Sequence, residues 1–194
     1  VTAIEIVAIG ASWGGLHALE RVLGPLPADF PAAVVIAQHR RFGADGALAE
    51  LLDSRCELTV CEAEDKQALC PGIVLVAPAD YHLLVEPGAV ALSVDEPVNF
   101  SRPSIDVLLT SAADNYGGCA VGVVLTGANA DGAHGLARIA ARGGIPIVQD
   151  PDSAERREMP AAALAATPAA RVLALDEIGG LLAELATTRE GAQS

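Results

Sequence analysis

Ile4-Glu-Ile-Val-Ala-Ile9, Gly10-Ala-Ser12-Trp-Gly14-Gly15 and Leu16-His-Ala-Leu-Glu-Arg-Val-Leu23 follow one another without a break. The first segment is a β-branched apolar run, and the last spaces its apolar residues at helical period. The glycines between them allow a sharp reversal. This opens a strand–turn–helix unit, and the pattern recurs along the chain. Ala33-Val-Val-Ile-Ala37, Ile73-Val-Leu-Val76, Ala120-Val-Gly-Val-Val-Leu125 and Ile145-Pro-Ile-Val148 read as further strands. Most are apolar on both faces, as parallel strands between two helix layers must be. Asp106 to Asn115 and Asp131 to Arg142 have helical period, the second closed by Gly143-Gly144. Ala161 to Ala170 reads as a short helix and its exit, and Asp176 to Leu185 as a last helix with Asp176 as N-cap. Leu83 to Val94 differs: two short alternating runs around Pro87-Gly88 predict an antiparallel hairpin. The predicted fold is α/β, a single doubly wound, mostly parallel sheet flanked by helices, with a small hairpin extension at about residues 83–94. One domain is expected over 1–186, with a frayed tail over 187–194.

The composition agrees and narrows the function. At 194 residues the chain can bury a full core without metal or disulfide staples. That core is aliphatic, because hydrophobic residues make up 52% of the chain and aromatics only 3%. Twelve Lys and Arg against 25 Asp and Glu leave a formal charge of −13, which repels phosphate backbones and argues against a nucleic-acid partner. No apolar run is long enough to insert in a membrane, and the start lacks the form of a signal peptide. Cys56, Cys61, Cys70 and Cys119 match neither zinc nor redox spacings, so free thiols in a cytoplasmic protein are expected. His and Cys are too scattered for a metal site, and no cofactor is implied.

In such sheets ligands gather at the carboxyl ends of strands. After the first strand, Gly10-Ala-Ser12-Trp-Gly14 satisfies G-x-S-x-G in strand–turn–helix context. Ser12 is then a candidate nucleophile, with the Trp13 N–H as an oxyanion donor. The alternative is a phosphate-binding turn with Ser12 as an ordinary N-cap. His39 follows the second strand and is the candidate base, with His82 as its rival; His17 and His134 fall on helices. Asp131 stands at a helix start, where it is either an N-cap or the carboxylate that orients the imidazole, and Asp150 also ends a strand.

These residues carry a resemblance. Gly10-Ala-Ser-Trp-Gly-Gly15, Gln38-His39-Arg40, Val98-Asn99, Arg102-Pro-Ser-Ile-Asp-Val-Leu108, Leu125-Thr-Gly127, Asp131-Gly-Ala133 and Met159-Pro160 resemble, in order and spacing, the catalytic domain of the chemotaxis-receptor protein-glutamate methylesterases (CheB type). The resemblance implies a Ser12–His39–Asp131 triad hydrolysing γ-glutamyl methyl esters on chemoreceptor cytoplasmic domains with release of methanol, and glutamine deamidation as a second activity. It also implies no cofactor. The first strand begins by residue 4, so the chain is expected to be a stand-alone or excised catalytic domain. In the second case a receiver domain would be a partner.

Trp13, Gly14, Ala128 and Arg40 are expected to form the oxyanion turn and pocket wall, and the departures concentrate there, at Trp13, Ala128 and Arg40. Trp13 replaces a threonine of the family and is expected to narrow the cleft. Arg40 replaces a methionine and Ala128 a larger residue. Asn129 replaces a glycine, and asparagine tolerates positive φ better than most residues. Glu155-Arg-Arg-Glu158 replaces an apolar loop. Trp13 and Arg40 also motivate a second function: a non-catalytic receptor-binding or signalling module of the same fold. A nucleotide- or small-molecule-binding module is a third. A chain this acidic needs local cations to meet an acidic receptor, and Arg40, Arg41, Arg102, Arg156 and Arg157 are available. For Arg156 and Arg157 the simpler reading is that they solubilise their loop.

Overall fold

A computed structural model describes residues 3–40 and 47–187. Its strands are β1 (Ile6–Ala11), β2 (Ala33–Gln38), β3 (Thr59–Glu62), β4 (Ile73–Val76), β5 (His82–Glu86), β6 (Ala89–Ser93), β7 (Ala120–Val124), β8 (Ile145–Gln149) and β9 (Arg171–Leu173). The helices are α1 (Gly15–Leu23), α2 (Ala47–Asp53), α3 (Ile105–Tyr116), α4 (Ala133–Ala141), α5 (Glu158–Ala166) and α6 (Leu175–Thr187). Seven strands form one sheet in the order β3-β4-β2-β1-β7-β8-β9, and every pairing in it is parallel.

The alternation of side chains along each strand feeds two cores. Val7, Ile9 and Ala11 of β1 pack with α1 and α6 through Leu19, Val22, Leu23, Ile178 and Leu182. Ile6 and Ala8 face the other way, toward Ile105, Leu108 and Leu109 of α3 and Leu136 and Ile139 of α4. Both faces are therefore buried, which explains why the central strands read as continuous apolar runs. The hairpin is present as β5 and β6, but it forms a separate two-stranded sheet rather than joining the parallel one. The Ser111 hydroxyl of α3 accepts the Val85 N–H, and Asn115 donates to the Val85 carbonyl, so α3 holds the hairpin.

Three elements have no counterpart in the sequence reading: α2, β3 and β9. The two strands are the edges of the sheet, short and partly exposed, and so lack a two-faced apolar run. The last helix starts at Leu175, so Asp176 lies in its first turn and pairs with Arg21 rather than capping. The Ala174 N–H is taken by Glu177 instead. Residues 188–194, which hold nearly all of the expected tail, lie outside the described residues, as does Arg41. No helix among the described residues is long and apolar enough to cross a membrane.

The winding places a crevice where the site must be. From β1 the chain moves to β2 on one side and later returns to β7 on the other. The loops after β1 and β7 consequently diverge over opposite faces at the carboxyl ends, which is the switch point of an open α/β sheet.

Candidate active site

Ser12 leaves β1 between two neighbours. Its N–H donates to the Thr126 carbonyl beyond β7, and its own carbonyl accepts the Gly15 N–H and the Gln38 amide. Gly14 closes the turn at φ 78, a left-handed conformation that favours glycine, and serves as the N-cap of α1. Ser12 is therefore not the helix cap. Its hydroxyl lies 3.2 Å from His39 Nδ1 instead. His39 follows β2, where its N–H donates to the Ala11 carbonyl, and Gln38 spans the carbonyls of Ser12 and His39.

His39 Nε2 is 2.7 Å from Asp131 Oδ2. An ionised carboxylate only accepts, so Nε2 carries the ring proton and the Nδ1 lone pair faces the serine hydroxyl. The imidazole thus works with its two nitrogens in the opposite sense to the chymotrypsin arrangement, in which Nε2 faces the serine. His82, the rival base, is buried elsewhere: Nε2 faces the Glu96 carbonyl and Nδ1 accepts the Ser104 N–H. His17 and His134 are exposed on α1 and α4.

Asp131 is 1% exposed and does not cap α4, whose N-cap is Gly132. Its carboxylate instead sits at the N-terminus of α3. Oδ2 accepts from His39 and from the Ile105 N–H at 2.7 Å, and Oδ1 accepts from Asn99 Nδ2 at 2.8 Å, Ser104 Oγ at 2.9 Å and the Asp106 N–H at 3.1 Å. Asn99 reaches it from a left-handed backbone at φ 52, and the same amide donates to Asp106. Asn99, Ser104 and Gln38 stand within the motifs that carry the resemblance, but nothing in the sequence assigns any of them a role in the site. Ser104 ahead of an apolar helix was readable as an N-cap, and it does cap α3. Its second role, toward a residue 27 positions away, had no local signal.

Burial works to raise the Asp131 pKa, but hydrogen bonds from His39, Asn99 and the N–H groups of Ile105 and Asp106 outweigh it and hold the carboxyl below its ordinary value. A depressed carboxyl adds stability that is fully present above the unfolded value, about 4. That stability is lost as pH falls through the lower folded value. Urea unfolding is therefore expected to show stability declining below about pH 4, with this acid-labile part missing from Asp131→Ala. An unchanged acid profile in that variant would contradict the assignment.

The backbone N–H groups of Trp13, Gly14 and Ala128 have no acceptor among the described residues. Trp13 and Gly14 directly follow Ser12, and Gly127, the neighbour of Ala128, lies so close that a Cβ added to it would come within 2.9 Å of the Ser12 Cβ. Such donors are the requirement for holding an oxyanion. The side chains that depart from the family pattern at the pocket wall are held by other groups. The Trp13 indole is 59% exposed and is drawn to the loop after β8, where Nε1 donates to Glu155 at 2.8 Å. Arg40 turns away from Ser12, donating to the Ala77 carbonyl at 2.7 Å and lying 3.6 Å from Glu62, although it shares a cavity of about 220 Å³ with His39, Asp80 and Arg102. Asn129 is not among the residues at positive φ; its side chain instead accepts the Asp131 N–H. Asp150 holds the N–H groups of its own loop, not His39.

Residues 7–182 match the family model for CheB methylesterase. A protein of Leptospira interrogans (serovar copenhageni) is 44% identical over 182 residues, covering 93% of this chain and 94% of that protein. The protein-glutamate methylesterase/protein-glutamine glutaminase of Chromohalobacter salexigens is 42% identical, and so is the protein-glutamate methylesterase FrzG of Myxococcus xanthus. The chain spans 54% and 53% of their respective lengths. The crystal structure of the Thermotoga maritima CheB methylesterase catalytic domain superposes with a TM-score of 0.89 at 37% identity, over 95% of this chain and 100% of that domain.

Proposed function

Because the chain belongs to the CheB methylesterase family, a family of carboxylic ester hydrolases, we propose that it hydrolyses γ-glutamyl methyl esters through Ser12, His39 and Asp131. The substrate class is the cytoplasmic helices of chemoreceptors, as the resemblance implies. The observation that carries the mechanism is the unbroken line from Ser12 Oγ through His39 to Asp131.

His39 Nδ1 takes the hydroxyl proton as Ser12 Oγ attacks the ester carbonyl carbon. The carbonyl oxygen gains the charge and turns to the free N–H groups at Trp13 and Ala128. As the C–O bond to the methoxy group breaks, Nδ1–H returns the proton and methanol leaves. Water, deprotonated by the same nitrogen, then attacks the acyl-serine and frees a glutamate carboxylate. Attack on a glutamine amide follows the same path with ammonia leaving, which fits the second activity in the name of the Chromohalobacter relative.

The non-catalytic reading drew on Trp13 and Arg40. Both side chains are tied to other groups, Trp13 to Glu155 and Arg40 to Ala77 and Glu62, and Ser12 keeps its contact with His39.

The test is methanol release from carboxymethylated receptor signalling domains. Release is expected from the wild type and not from a folded His39→Ala variant, which lacks the base. No release from the folded wild type would overturn the proposal, and release by His39→Ala within tenfold of wild type would overturn the role of His39.

A further inference from the structure

Of the five arginines available for an acidic partner, the fold commits three. Arg40 serves Ala77 and Glu62, Arg102 serves Asp80 and the carbonyls of Val94 and Asp95, and Arg157 pairs with Asp152. Arg41 lies outside the described residues. Arg156 makes no ion pair among the described residues. Its guanidinium lies over the Trp13 ring, 5.2 Å from the centroid.

This cation is built into the rim of the site. The Arg156 N–H donates to Thr126 Oγ1 at 2.9 Å, and its carbonyl accepts the Gly127 N–H at 3.1 Å. Thr126 and Gly127 are the residues that adjoin Ser12. Trp13 is fixed from the other side by Glu155, whose carboxylate is engaged with the indole N–H. Two departures from the family pattern, at Trp13 and in the Glu155-Arg156 loop, are therefore one structural unit.

We propose that the Trp13–Arg156 pair is a specificity subsite that reads a free carboxylate on the substrate protein, one helical turn from the esterified glutamate. This rests on the methylesterase reading above. A guanidinium stacked on an indole keeps its in-plane N–H fork available for bidentate contact with a carboxylate. The chain as a whole carries a charge of −13 and repels acidic groups, so a cation with no ion pair among the described residues, at the rim of the site, discriminates locally. Residues three or four apart on a helix share one face, so an ester seated at Ser12 brings such a neighbour within the same docking surface. Methylation erases that neighbour's charge and hydrolysis restores it. The subsite consequently favours esters whose neighbour is already free, and demethylation at adjacent positions becomes sequential.

The experiment uses helical peptides with one γ-methyl glutamate and either Glu or Gln four residues away on each side. The wild type is expected to show a KM three- to tenfold lower for the Glu peptide, with kcat within twofold, at low salt. Added salt should shrink the difference. In Arg156→Gln the ratio of the two KM values should collapse toward one. Equal KM values in the wild type, or a ratio that survives Arg156→Gln, would overturn the subsite. If neither peptide is hydrolysed, the methylesterase reading fails instead. Binding to Ser12→Ala then decides the subsite alone, read by the fluorescence of Trp13, the chain's single tryptophan. Tighter binding of the Glu peptide supports it, and equal binding of the two overturns it.

Discussion

Ser12→Ala is expected to lower kcat for methanol release by about five to six orders of magnitude, the loss seen when the nucleophile of a serine hydrolase is removed. The substitution takes away only Oγ, and the sole hydrogen bond of that atom among the described residues is to His39. The backbone bonds that hold the turn, from Ser12 N–H to Thr126 and from Gly15 and Gln38 to the Ser12 carbonyl, remain. Thermal unfolding should therefore be unchanged while turnover disappears. What activity remains is the share supplied by the oxyanion donors and by binding. Methanol release within tenfold of wild type would remove Ser12 from the reaction.

The second large effect is expected from Asp131→Asn, about 10⁴-fold in kcat. Both carboxylate oxygens face donors: His39 and Ile105 on one side, Asn99, Ser104 and Asp106 on the other. An amide has one acceptor end and one donor end, so no orientation satisfies this set. Turned with its NH₂ to His39, it forces the imidazole proton onto Nδ1, where it confronts the serine hydroxyl and abolishes the base. Turned the other way, it sets NH₂ against Asn99 and the Asp106 N–H. Unlike Ser12→Ala, this variant should also unfold at lower temperature, because buried donors at the start of α3 lose their acceptor. Measuring kcat and Tm together separates the two residues. An Asp131→Asn protein of wild-type stability would show that the five-donor arrangement is not formed.

How much of this was readable in the chain follows from where each signal lies. β1, β2, β4, β7 and β8 are buried on both faces and announce themselves as apolar runs. The edge strands β3 and β9 face solvent and do not. Ser12 and His39 were legible because each directly follows a strand end, where ligand chemistry collects. Asp131 was legible with two readings, a helix cap or the partner of His39, but its place at the start of α3 was not. Position at a helix start suggested a cap for α4, whereas the fold delivers its carboxylate to α3, whose start is 26 residues earlier. Asn99 and Gln38 act wholly through tertiary hydrogen bonds, which no periodicity records. Arg156 looked like loop solubility until the structure set it on Trp13.

Active-site groups commonly weaken the scaffold that carries them, so stabilised variants tend to lose function. Asp131 breaks that opposition. Five donors from three parts of the chain converge on one carboxylate, so the group proposed to orient the imidazole is also the clasp between α3 and the loop after β7. Lineages released from any demand for catalysis would be free to discard Ser12 within a few substitutions, yet would keep the aspartate for the sake of folding. Among decayed relatives of this chain, an intact aspartate is thus poor testimony of an enzyme, and the serine is the residue to consult.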